Sequence, residues 1–162
     1  MIEPKQTMAA YGRLFGGKSF TRDFGKSFAD HPRILIKDSG YSSTAAGAYQ
    51  VMGYTWDDPP SIRWRERFYV SDFSPVSQDR YCVVILKMKR KALDFIKNGG
   101  LSKAVFQANC KLEWASFPGA PYDQGGVSWE DLNAKFTTFV REELAGKSDL
   151  EASRGVLDDL ID

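Results

Sequence analysis

Apolar residues recur at helical spacing through the second half of the chain. Val84, Ile85, Met88, Ala92, Phe95 and Ile96 share one face of a predicted helix, which Ser74 caps, Pro75 opens and Gly99-Gly100 stops. A second helix is predicted through Ala104, Val105, Ala108 and Leu112. A third follows a capping box of Ser128 and Asp131, with Leu132, Phe136, Phe139, Val140 and Leu144 as its buried stripe and Gly146 as its end. Leu157, Leu160 and Ile161 give residues 150–162 the pattern of a further amphipathic helix. The first part of the chain reads differently. Phe15, Phe20, Phe24 and Phe28 stand among glycine pairs and polar residues, which predicts a short β-hairpin or irregular lobe over 11–28. Asp57-Asp58-Pro59-Pro60 breaks any helix begun at Tyr49, and residues 57–71 mix charge and rings without a period. The expected class is α+β, a mainly helical body with a small β-hairpin lobe, and 162 residues suffice for a single domain with a core.

Charge and composition narrow the chemistry. Lys and Arg number 22 against 21 Asp and Glu, a formal charge of +1, so no bulk field argues for nucleic acid. Lys87, Lys89, Arg90 and Lys91 form a basic run, read as a solvated helix face rather than an anion-seeking patch. No apolar run approaches the ~20 residues of a membrane span and no signal peptide opens the chain, so a soluble product made in the cytoplasm is expected. Cys82 and Cys110 are flanked by apolar residues and are expected as buried free thiols. One histidine and two scattered cysteines offer no metal site, and no cofactor is expected. The chemistry falls to carboxylates, amides and rings.

One stretch concentrates such groups. From Asp30-His31-Pro32-Arg33 the chain runs to Ser42, Ser43, Thr44, Ala45, Ala46 and Gly47, then Tyr49 and Gln50. Small residues admit close approach of a backbone or ligand, and a ring beside an amide fork suits a sugar, which stacks on one side and hydrogen-bonds at its rim. The same residues also read as a small-residue helix start packed on a neighbour, and composition alone favours that second reading.

Four motifs in order resemble the bacteriophage lambda lysozyme family of lytic transglycosylases. They are Asp30-His31-Pro32-Arg33, Ser43-Thr44-Ala45-Ala46-Gly47-Ala48-Tyr49-Gln50, Phe73-Ser74-Pro75-Val76-Ser77-Gln78-Asp79, and Trp114-Ala115-Ser116-Phe117-Pro118-Gly119-Ala120. The resemblance covers roughly residues 11–144, with 22–27 resembling an insertion and 57–71 departing from the family pattern. It implies a lysozyme-like fold whose β lobe lines a glycan cleft, and an endolysin that cuts the peptidoglycan of a bacterial host. It implies Tyr49 and Gln50 aligning the glycan, Ser43 and Thr44 supporting that wall, and Tyr122 and Gln124 contacting the glycan from an opposite loop. Trp114 and Pro118 are expected to shape that loop, and Asp30 and His31 to form a turn rather than take part in catalysis.

The family's general acid is a Glu at the end of a first helix, which precedes the segment matching residues 11 onward. Read from Asp162 on into Met1, Leu157, Leu160, Ile161 and Ile2 follow one helix face, and Glu3 lies four positions beyond Ile161. The expectation is a circular permutation: residues 150–162 are the displaced first helix, 146–149 the new connector, and Glu3 the catalytic acid and base. A lytic transglycosylase needs no second carboxylate, whereas a hydrolytic muramidase or a silent peptidoglycan-binding domain is the alternative. The resemblance further implies a peptidoglycan strand as partner, no nucleic acid and no membrane insertion. It implies synthesis in the host cytoplasm and action in the periplasm after release through a separate membrane pore. A monomer is expected, with a domain-swapped oligomer as its rival.

Overall fold

The computed structural model describes residues 7–162; Glu3 lies outside the described residues, as do Met1 and Ile2. The chain divides into two compact units. One takes the described residues up to Val84 together with Leu150–Leu160, and the other takes Ile85–Asp149.

The first unit begins with α1 (Thr7–Tyr11) and a 3-10 turn at Phe15–Gly17. Residues 11–28 carry one internal bridge, Arg13 to Ser19, and a second from Leu14 to Ala46, and form an irregular lobe. The hairpin lies further on. β1 (Ile36–Asp38) and β2 (Tyr41–Ser43) pair antiparallel, Ile36 opposite Ser43 and Asp38 opposite Tyr41. Ser39 and Gly40 join them with φ of 48° and 83°, the positive angles that suit a tight two-residue hairpin turn. α2 (Gly53–Trp56) and α3 (Trp64–Arg67) are single turns on either side of the Pro59-Pro60 break, so no helix begins at Tyr49. α4 (Pro75–Val84) starts at its proline, and Ser74 Oγ accepts the Ser77 amide at 3.3 Å.

An aromatic cluster fills this unit. Trp56 meets Phe73 and Tyr81 edge to face, with ring centroids 4.9 and 5.1 Å away. Phe73 also packs against Phe20 and His31. α7 (Arg154–Ile161) belongs to the same unit up to Leu160. It buries Leu157 and Leu160 and leaves Ile161 half-buried. Arg80 of α4 fastens it, donating to both carboxylate oxygens of Asp159 (2.7 and 2.6 Å) and to the Val156 carbonyl.

The second unit departs from the predicted helices in three places. The helix expected to run from Pro75 to Gly99 is broken. A π-helical turn at Ile85–Lys89 follows α4, Lys91 takes φ 52°, and α5 (Leu93–Lys97) restarts beyond it. The wider turn carries Lys89 and Arg90 to the largely buried Glu113 carboxylate, at 2.9 and 2.8 Å, so these two are paired and the run is not simply a solvated face. The second predicted helix becomes a π-helical turn at Lys103–Gln107 and a 3-10 turn at Cys110–Leu112. These turns put Ala104 and Cys110 into a small core with Ala92, covered by Leu86, Phe95, Ile96, Trp114 and Phe117. Cys110 is a buried free thiol, whose pKa burial pushes up to about 11, whereas Cys82 is only half-buried.

The third departure is α6 (Trp129–Leu144). Its cap forms as predicted, with Ser128 Oγ accepting the Asp131 amide at 3.0 Å. Its stripe is not buried: Leu132 and Phe136 are half-buried, and Phe139, Val140 and Leu144 are 45, 41 and 86% exposed. The unit's core is assembled from residues before 118, and α6 contributes no buried residue to it.

Candidate functional site

The sugar-suited stretch folds as a closed loop, not as a helix start. Ala46 pairs with Val51 in both directions, its amide donating at 3.0 Å and its carbonyl accepting at 2.9 Å, so residues 47–50 bulge from a β-bridge. The Gly47 amide donates to the Arg13 carbonyl at 2.8 Å, which ties the loop to the irregular lobe. Gly47 has φ 80°, and a Cβ added there would lie 2.2 Å from Gln78 Oε1. Only glycine lets that amide side chain come so close.

α4 holds the loop from beneath through two buried polar residues. Gln78 Oε1 accepts the Ala48 amide at 2.9 Å, while its Nε2 donates to the carbonyls of Tyr11 (3.1 Å) and Phe73 (2.8 Å). Asp79 Oδ1 accepts the hydroxyls of Tyr11 (2.6 Å) and Tyr49 (2.8 Å). Its Oδ2 accepts the amides of Glu151 and Ala152, each at 2.8 Å. Burial, with Asp79 as a further cause, raises the pKa of both tyrosines, so both hydroxyls stay protonated as donors.

Ser43 and Thr44 spend their hydroxyls on bonds within the loop and its flanks. Ser43 Oγ accepts the Ala45 amide at 3.1 Å and donates to Met52 Sδ, and Thr44 Oγ1 accepts the Gly53 amide at 3.0 Å. Gln50 turns its Nε2 onto the Gly47 carbonyl at 2.9 Å, closing the loop it belongs to. His31 is buried behind the loop. Its Nε2 donates to the Val51 carbonyl at 2.8 Å and its Nδ1 accepts the Arg33 amide at 3.1 Å, an arrangement that requires the neutral ring. Burial lowers its pKa accordingly. Arg33 bridges Asp30 and Asp57, and Trp56 Nε1 donates to Asp30 at 2.8 Å. Burial works to raise the Asp30 pKa, but the bonds from Arg33, Trp56 and the His31 amide outweigh it and bring the group to about 2.

The structure thus brings Ser43, Thr44, Tyr49 and Gln50 together in the first unit. Tyr122 and Gln124 stand on a loop of the second unit, where the Tyr122 hydroxyl donates to the Leu112 carbonyl at 3.0 Å. The sequence reading assigned Gln78 and Asp79 no part in the site. The available signal was an amide and a carboxylate side by side just after the Ser74-Pro75 helix start, since such groups must find partners if the helix is buried.

Known proteins resemble this arrangement over most of the chain. The family model described as Endolysin matches residues 2–141. This chain belongs to the endolysin family. Among relatives, the endolysin of Escherichia phage lambda is 36% identical over 127 residues, 78% of this chain and 72% of its own. The endolysin of Escherichia phage P2 is 35% identical over 111 residues, 65% of this chain and 62% of its own. A solved structure of bacteriophage lambda lysozyme complexed with a chitohexasaccharide matches with TM-score 0.65 and 35% identity, covering 79% of this chain and 75% of that one. The endolysin-family chain therefore has a lysozyme-like fold, helical with a small two-stranded antiparallel sheet. No helix among the described residues is long and apolar enough to cross a membrane.

Proposed function

We propose that this endolysin-family chain is a lytic transglycosylase. It cleaves the β-1,4 bond between N-acetylmuramic acid and N-acetylglucosamine in peptidoglycan, with Glu3 as acid and then base. Protonated Glu3 donates to the bridging oxygen as the bond from C1 breaks. The substrate's acetamido group stabilises the cation, and the Glu3 carboxylate then takes the proton of the sugar's 6-hydroxyl as that oxygen bonds to C1. The product is a 1,6-anhydro sugar, and no water is consumed. Tyr49 and Gln50 align the glycan, with Ser43 and Thr44 bracing them.

The observation that supports this reading is the state of the carboxylates built into the wall. Asp30 and Asp57 are committed to Arg33, and Asp79 accepts four hydrogen bonds. A hydrolase of the two-carboxylate kind needs a second carboxylate poised for water or for the sugar carbon, and these three are already engaged by other partners. The likeness to a lysozyme complexed with a chitohexasaccharide supports a glycan as the bound substrate. Digestion of purified peptidoglycan should release anhydro-muropeptides by mass spectrometry, and Glu3→Gln should abolish their release while the fold survives. Reducing muramic ends carrying an added water would identify a hydrolytic muramidase. Binding without turnover, unaffected by Glu3→Gln, would identify a silent binding domain.

The docking of α7 on α4 supports the further reading that residues 150–162 are the family's first helix in permuted order. The site of action is then the host cell wall, reached from the cytoplasm through a separate membrane pore.

A further inference from the structure

We infer that Asp79 is a positioning residue for the glycan wall, coupling the placement of Tyr49 to the docking of residues 151–152. The inference rests on the glycan reading for its effect on substrate but not for the coupling itself. Asp79 is 2% exposed, and a carboxylate buried that deeply is tolerated only when its lone pairs are filled. The two oxygens divide the work. Oδ1 takes the hydroxyls of Tyr49 and Tyr11, and Oδ2 takes the amides that open the segment leading into α7. Because the two oxygens are rigidly linked, the carboxylate can meet the Tyr49 hydroxyl squarely only while the amides of Glu151 and Ala152 hold the other end. The neighbouring Gln78 fixes the adjacent peptide through Ala48, so two successive residues of α4 set the height and tilt of the loop that carries Tyr49 and Gln50. Neither side chain points to solvent, which makes both indirect contributors rather than catalytic residues.

Asp79→Asn preserves volume but replaces one acceptor oxygen with a donor NH2, so at least one pair of donors loses its partner. With peptidoglycan as substrate, Asp79→Asn should raise KM about tenfold and leave kcat within about twofold, because a misplaced wall weakens binding without touching Glu3. Tyr49→Phe should reproduce the rise, and the double variant should be no worse than either single one. Tyr11→Phe removes the other hydroxyl from the same oxygen and should lower Tm while KM stays unchanged. A fall in kcat at unchanged KM would overturn the inference, since it reports only a smaller folded fraction. Urea unfolding of the same four-member cycle reads the coupling without any glycan. The stability cost of Tyr49→Phe should shrink by at least half in the Asp79→Asn background, and strict additivity would overturn the coupling. Should the wild-type chain neither bind nor cut peptidoglycan, the glycan reading falls and the unfolding cycle alone decides the role of Asp79.

Discussion

At the scale of single residues, the site depends on groups whose side chains never reach solvent. Gly47 is the sharpest case. Substituting alanine there combines a left-handed φ, costing about 1–2 kcal/mol, with a methyl forced into Gln78 Oε1, costing about 1–3 kcal/mol. Gly47→Ala should therefore destabilise the protein by about 2–5 kcal/mol in urea unfolding and impair lysis as the loop shifts. His31 gives a prediction in pH. Burial lowers its folded-state pKa below the ordinary 6.5, so in the window beneath 6.5 the unfolded chain binds a proton that the folded chain does not. Stability is then full above pH 6.5 and falls as the pH drops toward the folded-state value, by at most about 1.4 kcal/mol per pH unit. Because the sequence contains one histidine, His31→Gln should flatten this part of the curve and leave the separate carboxylate-driven loss below pH 4 in place. Urea midpoints measured every half unit from pH 4 to 8 would show it.

At the scale of elements, α6 and α7 carry similar amphipathic sequences and meet opposite fates. Leu160 of α7 is fully buried, and Leu144 of α6 is 86% exposed. Leu160→Ala should cost about 2–5 kcal/mol through lost contacts and a residual cavity. Leu144→Ala should stay within about 0.5 kcal/mol. Comparable losses at the two positions would mean that α6 is covered in solution. The contrast has a physical basis. Periodicity reports that a helix has an apolar face, whereas burial requires a surface that fits it. α7 finds that surface within the first unit, where Leu157 and Leu160 are buried, and is tied to α4 by Arg80. The break after Val84 follows the same logic. A continuous helix would satisfy local propensity, but Glu113 is largely buried and needs cations, and the π-helical turn delivers Lys89 and Arg90 to it.

At the scale of the whole molecule, residues 150–160 are part of the first unit rather than an appendage. Deleting residues 150–162 strips two amides from Asp79 and the carboxylate from Arg80, leaving two buried charges short of partners and an apolar surface open. The truncated chain should lose cooperative thermal unfolding and lytic activity together, whereas a dispensable tail would leave both intact. Much of this was legible in the order of residues alone. The four spaced motifs were enough to place the chain in its family, Pro75 and Ser128 marked where two helices start, and the 150–162 pattern announced a helix. These are local signals, carried by side chains within a turn or two of one another. What only the tertiary structure decided are the long-range pairings. Asp79 gathers Tyr11, Tyr49, Glu151 and Ala152 from three distant segments, and the hairpin forms at 36–43 rather than within 11–28. The ends of such pairs are 30 to 73 residues apart for the Asp79 bonds to Tyr49 and Ala152, so no local pattern encodes them. They are set by which buried polar groups meet once the apolar faces have packed.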